Sequence, residues 1–213
     1  MLDDPRVPPL TMDELQAALD HLRASPADVG EIQAIARRPE VETREVLTEG
    51  RLDAAVGLVG DNWLVRGSNS TPDGSADPER QITVMNARVA ALVAGGAAAM
   101  TLAGDQIYVD FDLSIANLPP GTLLAVGEAV LRVSEPPHLG CKKFVARFGE
   151  DAMRFVNSRV GRAMRLRGMN ARVVTAGAVR VGDAVRKVTA TVPTDRADSR
   201  VPSGQPAVAS SGT

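Results

Sequence analysis

The chain has one cysteine, Cys141, in the run Pro136-Pro137-His138-Leu139-Gly140-Cys141-Lys142-Lys143-Phe144, and two of its three lysines directly follow that thiol. A cysteine acts as a nucleophile or metal ligand through its thiolate, which nearby cations and a helix N-terminus favour. The Pro-Pro-His-Leu-Gly stretch reads as loop, and residues 142–148 read as the first turns of a helix. Cys141 is therefore expected to face unpaired backbone N–H groups at the positive end of that helix. Two readings stand: a reactive or ligating thiol, and a buried thiol packing as a small apolar side chain. His138 either pairs with the thiol or a bound ligand, or shapes the loop after two prolines.

The rest of the chemical inventory is sparse. Residues 142–172 carry nine basic and two acidic side chains, whereas residues 1–50 carry eleven acidic and five basic ones. The basic stretch suits an anionic ligand of limited size, or it is simply a solvated face. A net charge of −2 argues against bulk nucleic-acid binding, which needs a broad basic surface. One cysteine and two histidines allow no intrachain disulfide and cannot readily supply a four-ligand zinc site. There is no Gly-x-Ser-x-Gly elbow and no phosphate-binding P-loop. Asp105, Asp110 and Asp112 lie along one strand region and are expected on a solvated face. Asp61 and Asp183 read as turn residues, Trp63 as a core anchor and His21 as an ordinary helix residue.

The elements that must position Cys141 are mostly strands. Thr11-Met12-Asp13-Glu14 is a capping box opening a helix to about residue 24. Residues 31–36 and 43–47 predict two strands joined across Arg38-Pro39-Glu40. Further strands are predicted at 62–66, 81–85, 106–111, 122–125, 129–134, 171–175, 179–180 and 184–188. An apolar-Gly-acidic-x-apolar pattern recurs at residues 59–63, 103–107, 126–130 and 181–185, and reads as repeated turns entering strands. Helices are predicted at 87–94 and over 141–165, the second with Phe144, Phe148, Ala152 and Phe155 as a core-facing stripe. Residues 67–77 read as an exposed loop and 194–213 as a disordered tail.

Many short strands with glycine turns predict a mostly β fold with accessory helices (α+β), a closed or nearly closed barrel. With 44% hydrophobic residues but only 3% aromatics, its core must rest on aliphatic side chains. Three segments are expected: a helical extension over 1–29, the barrel domain over 30–190 and the tail over 191–213. No secretion signal opens the chain, and residues 89–104, the longest uncharged run, are too short to span a bilayer comfortably. A cytoplasmic protein with no membrane partner is expected.

Taken in order, several motifs resemble one family, the MOSC domain, named after the C-terminal domain of molybdenum cofactor sulfurases. The match runs over roughly residues 30–190 and includes Gly57-Leu58-Val59-Gly60-Asp61, Arg80-Gln81-Ile82-Thr83, Leu118-Pro119-Pro120-Gly121 and Val126-Gly127-Glu128-Ala129. It continues through the Cys141 loop to Gly168-Met169-Asn170-Ala171-Arg172 and Gly177-Ala178-Val179-Arg180-Val181-Gly182-Asp183. Where the family often has Gly-Glu-Asn this chain has Gly104-Asp105-Gln106, and Gly140 stands where proline often precedes the cysteine.

The resemblance implies a stand-alone bacterial MOSC protein with a β-barrel core and a role in molybdenum cofactor or sulfur chemistry. Cys141 matches the family cysteine, taken either as molybdenum ligand or as sulfur carrier. One implied activity is a small oxidoreductase reducing N-hydroxylated compounds with Cys141 on the metal of a molybdopterin cofactor, served by a separate redox partner. The other is a non-enzymatic carrier, with a Cys141 persulfide loaded by a cysteine desulfurase. The cofactor's phosphate would suit Lys142, Arg80 and Arg172, with His138 near the ligand; for each, plain surface solvation is the alternative. Pyridoxal phosphate, which belongs to the aminotransferase-like domain of the sulfurases, is not expected in this chain.

Overall fold

A computed structural model describes residues 8–188, so the tail expected from residue 191 and the first seven residues lie outside the described part. Eleven strands follow in chain order: β1 (Val29–Arg37), β2 (Glu45–Leu47), β3 (Glu49–Asp53), β4 (Gly57–Leu58), β5 (Ile82–Asn86), β6 (Ile107–Asp110), β7 (Leu123–Val126), β8 (Ala129–Pro137), β9 (Met169–Thr175), β10 (Gly177–Arg180) and β11 (Ala184–Lys187). Seven of them close a barrel in the order β11-β7-β8-β9-β5-β6-β1, with β1 pairing back onto β11 at Val29↔Arg186. Strand β2 extends β1, and β10-β3-β4 form a small separate sheet. The expected barrel with accessory helices is what the chain forms.

Period-two alternation explains how one barrel carries two cores. Ile35, Val84, Ile107 and Val109 point inward into an aliphatic interior. Their neighbours Ala34, Ala36, Met85 and Tyr108 point outward and are equally buried, against a layer of helices. Strands covered on both faces read as near-continuous apolar runs, as Ile107-Tyr108-Val109 and Val84-Met85 do.

That layer contains α1 (Met12–Ala17), α2 (Leu19–Arg23), α4 (Ala87–Ala94), α5 (Lys142–Asn157) and α6 (Arg159–Ala163), the short α3 (Trp63–Arg66) lying apart. The capping box forms: Thr11 N–H donates to Glu14 Oε2 at 2.8 Å and Glu14 N–H to Thr11 Oγ1 at 3.4 Å. The predicted first helix breaks at Ala18 into α1 and α2. Phe144, Phe148 and Phe155 are buried as the spacing implied. Strands β5 and β6 are parallel, so a crossover must join them; α4 and a 3₁₀ helix, Ala97–Ala103, make it.

Three expectations are corrected. Residues 62–66 were predicted as a strand and form α3, because the Asp61 carboxylate accepts the Trp63 N–H at 3.0 Å and turns the chain into a helix. The recurring glycine turns therefore enter strands in three places and a helix in the fourth; all four glycines have positive φ. Asp105 is not solvated but only 1% exposed. Asp110 pairs with Arg88 at 2.7 Å, and Asp112 accepts the Ser114 N–H at 2.8 Å. Strands β3 and β4 were not anticipated. Among the described residues no helix is long and apolar enough to cross a membrane.

Candidate functional site

Cys141 occupies the N-cap of α5, with extended backbone (φ −126°, ψ 175°), and its carbonyl accepts the Phe144 N–H at 2.9 Å and the Val145 N–H at 3.1 Å. Its side chain caps nothing and the residue is exposed, so the sulfur is open to a ligand. Helix α5 bends sharply at Gly149 (φ 85°), and this brings Asn157, at its end, back beside the loop at its start. Asn157 Oδ1 accepts the Gly140 N–H at 3.1 Å. A Cβ at Gly140 would crowd Met153 Sδ, so a larger residue there requires that flexible side chain to move.

The thiol and His138 line one cavity of about 770 Å³. Six cations line it as well: Arg38, Arg44, Arg66, Lys143, Arg147 and Arg167. Four of these arginines are gathered by one short stretch of backbone. The carbonyls of Thr101, Leu102, Ala103 and Gly104 accept from Arg44, Arg147, Arg167 and Arg38 in turn, the last three at 2.9, 3.2 and 3.3 Å. These carbonyls lie at the C-terminal end of the 3₁₀ helix, where partial negative charge favours cations. Tyr108, the only tyrosine, fixes that stretch: its hydroxyl accepts the N–H groups of Gly104 and Asp105 and donates to Thr101 O at 3.1 Å. Burial pushes its phenol pKa well above the usual value.

Beneath the cavity lies a buried ion pair. Arg167 Nη1 donates to Asp105 Oδ2 at 2.6 Å, and its guanidinium stacks 5.2 Å from the Phe144 ring centroid. The other carboxylate oxygen stands 3.3 Å from His138 Nδ1. Burial lowers the His138 pKa to about 4, against the pull of Asp105 and with help from Arg167, so the ring is neutral at pH 7. A second pair joins the cavity-lining Arg38 to the buried Asp61 carboxylate at 3.2 Å. Desolvation pulls Arg44 and Arg66 below the usual arginine value, and Arg44 Nε and Asn62 Oδ1 are buried without partners. Unpaired buried groups on a cavity wall are donors and acceptors held ready for a ligand.

The structure brings together Cys141 and His138 and separates them from the other predicted site residues. Lys142 is exposed and does not line the cavity; its neighbour Lys143 does. Arg80 pairs with Asp77 at 3.2 Å and Arg172 approaches Glu79 at 3.9 Å, on a surface cluster outside the cavity lining. The cavity's own arginines were missed because they sit in unrelated sequence contexts. The one local signal was a helix-ending glycine, Gly104, beside an aspartate.

The family model for the MOSC domain matches residues 71–186. Among solved structures, the YuaD protein from Bacillus subtilis aligns with a TM-score of 0.54 at 15% identity, covering 76% of this chain and 97% of that one. A second, a hypothetical protein, aligns with a TM-score of 0.51 at 18% identity, covering 76% and 69%. At such identities what is shared is the fold. No curated protein matches the chain.

Proposed function

Because the chain belongs to the MOSC domain family, we propose that its cationic cavity binds the molybdenum cofactor, with Cys141 as the protein's ligand to the metal. The reading rests chiefly on one observation: an exposed thiol and six cationic side chains share a cavity of about 770 Å³. A soft thiolate suits molybdenum, and guanidinium forks suit the phosphate of the pterin. Among the described residues no group of three or more His, Cys, Asp or Glu converges on a metal-sized site. A metal at Cys141 would accordingly take its remaining ligands from the molecule that carries it. Arg44, whose Nε is buried and unpaired, and Arg147 are the residues fitted to hold the anionic group.

When bound, the cofactor supplies two-electron chemistry. Reduction of an N-hydroxylated compound consumes two electrons and two protons, cleaves the N–O bond and releases water. The electrons come from a separate redox partner. The chain's own part is to bind and orient. Asp105 holds Arg167 at 2.6 Å, and its second oxygen stands 3.3 Å from His138 Nδ1 without a hydrogen bond between them. With the ring neutral at pH 7, His138 adds no positive charge to the cavity wall that it shares with the thiol.

A second reading has one observation in its favour: the thiol is exposed, as a carrier that must hand sulfur to another protein requires. In that case Cys141 holds a persulfide and no metal. Elemental analysis of protein purified from cells that make the cofactor separates the two. Molybdenum at one equivalent, absent in Cys141→Ser, supports cofactor binding. Metal-free protein that releases sulfur to cyanide in a Cys141-dependent way supports the carrier.

A further inference from the structure

We propose that a smaller cavity, formed by the end of β8, the segment after it and helix α6, is a second ligand site for a small monocarboxylic acid with an apolar body. This cavity measures about 280 Å³, and Ile115, Pro120, Pro136, Leu139, Val156 and Met169 supply apolar walls. Ser134, on β8, lines it as well and is only 3% exposed. Its Oγ is buried with no hydrogen-bond partner. An alanine or valine at that strand position would bury nothing unpaired, so the hydroxyl is a standing cost that a bound polar group would relieve.

Charge narrows the ligand further. Arg162, Arg165 and Arg167 line the cavity against one carboxylate, Glu135. Asp105 already neutralises Arg167, which leaves one positive charge in excess and suits a monoanion. Arg167 Nε is also buried and unpartnered, and carboxylates are ordinary partners for guanidinium N–H groups. Arg165 adopts a left-handed backbone (φ 49°), uncommon for a non-glycine residue, and its Nη1 is anchored on the carbonyls of Leu118 at 2.6 Å and Leu113 at 3.3 Å. The result is an apolar slot with a hydroxyl and fixed cations, the usual composition of a small-molecule pocket.

This site goes beyond the cofactor reading and stands without it, since no residue of the metal-ligand argument but the shared wall enters. His138 and Arg167 line both cavities, so the two occupants would touch opposite sides of the same pair of side chains.

The test is a titration of the ¹⁵N-labelled full chain with phenylacetate, and with phenylacetamide as its uncharged counterpart. Saturable amide shifts centred on Leu139, Gly161, Gly168 and Met169 are expected, with phenylacetamide about tenfold weaker. Ser134→Ala should weaken binding about tenfold. Ser134→Leu, which fills the slot, should abolish it in protein whose melting transition remains cooperative. If that variant does not fold, Ile115→Trp at the half-exposed mouth is the blocking substitution. No saturable shift up to the solubility limit overturns the proposal. So does unchanged affinity in the blocking variant, or a shift pattern centred on Gly104, Cys141 and Lys143, which would place the acid in the cationic cavity.

Discussion

Replacing Asp105 by alanine is expected to cost about 3–5 kcal/mol of stability, the range for removing one partner of a buried ion pair. The carboxylate is 1% exposed and Arg167 6% exposed, so the guanidinium left behind meets water only at the cavity walls that it lines. It would keep the Ala103 carbonyl at 3.2 Å, Met85 Sδ at 3.8 Å and the face of Phe144, none of which carries a neutralising charge. For a chain of this size the loss corresponds to a fall of about 6–20 °C in the melting midpoint. Removing the charge from both partners should restore most of it, because Arg167→Met in the Asp105→Ala background places an apolar side chain against Phe144 and Met85. Urea unfolding of the four proteins gives the coupling energy directly, provided the denaturant slope is unchanged. A single-variant cost under about 1 kcal/mol, or a double variant no better than the sum of the singles, would refute the buried-pair argument.

Acid should destabilise the protein through His138. Its folded pKa of about 4 lies below the ordinary 6.5, so the unfolded chain takes up the proton first. The neutral ring's contribution is complete above pH 6.5 and lost as pH falls toward 4, up to about 3 kcal/mol. His138→Gln should flatten that slope; identical slopes would place the acid sensitivity elsewhere. Native Cys141 should react with iodoacetamide nearly as fast as in urea, and protection of more than about tenfold would contradict its exposure. Gly140→Ala should lower stability by about 1–3 kcal/mol by crowding Met153, with Met153→Ala in the same chain recovering part of it. Thermal melts decide this, and a Gly140→Ala protein as stable as the parent would show that the loop does not pack on Met153.

Much of the scaffold was legible because its signals are local. Short runs rich in apolar and β-branched residues marked β1, β5 and β6, the capping box marked α1, and the phenylalanine stripe marked the buried face of α5. Strands β3 and β4 escaped because Glu49–Asp53 is mostly polar, contains Gly50, and buries only Leu52. Residues 62–66 look like a strand by composition, and only the Asp61 side chain bonding to the Trp63 N–H makes them helical. Asp105 looked solvated for the same reason: nothing adjacent in sequence announces Arg167, which reaches it across the fold.

Sequence alone determined that a single thiol stands at a helix start inside a glycine-turned, strand-rich domain, since caps, turns and apolar periods are properties of neighbouring residues. Tertiary structure alone decided what surrounds that thiol. Arg38 and Arg44 come from one part of the chain and Arg147 and Arg167 from another, and they meet where the carbonyls of residues 101–104, at the end of a 3₁₀ helix, accept from one guanidinium each. Closure of β1 onto β11 completes the barrel on which those parts are held, and charge convergence of that kind follows from three-dimensional proximity, which no local pattern encodes.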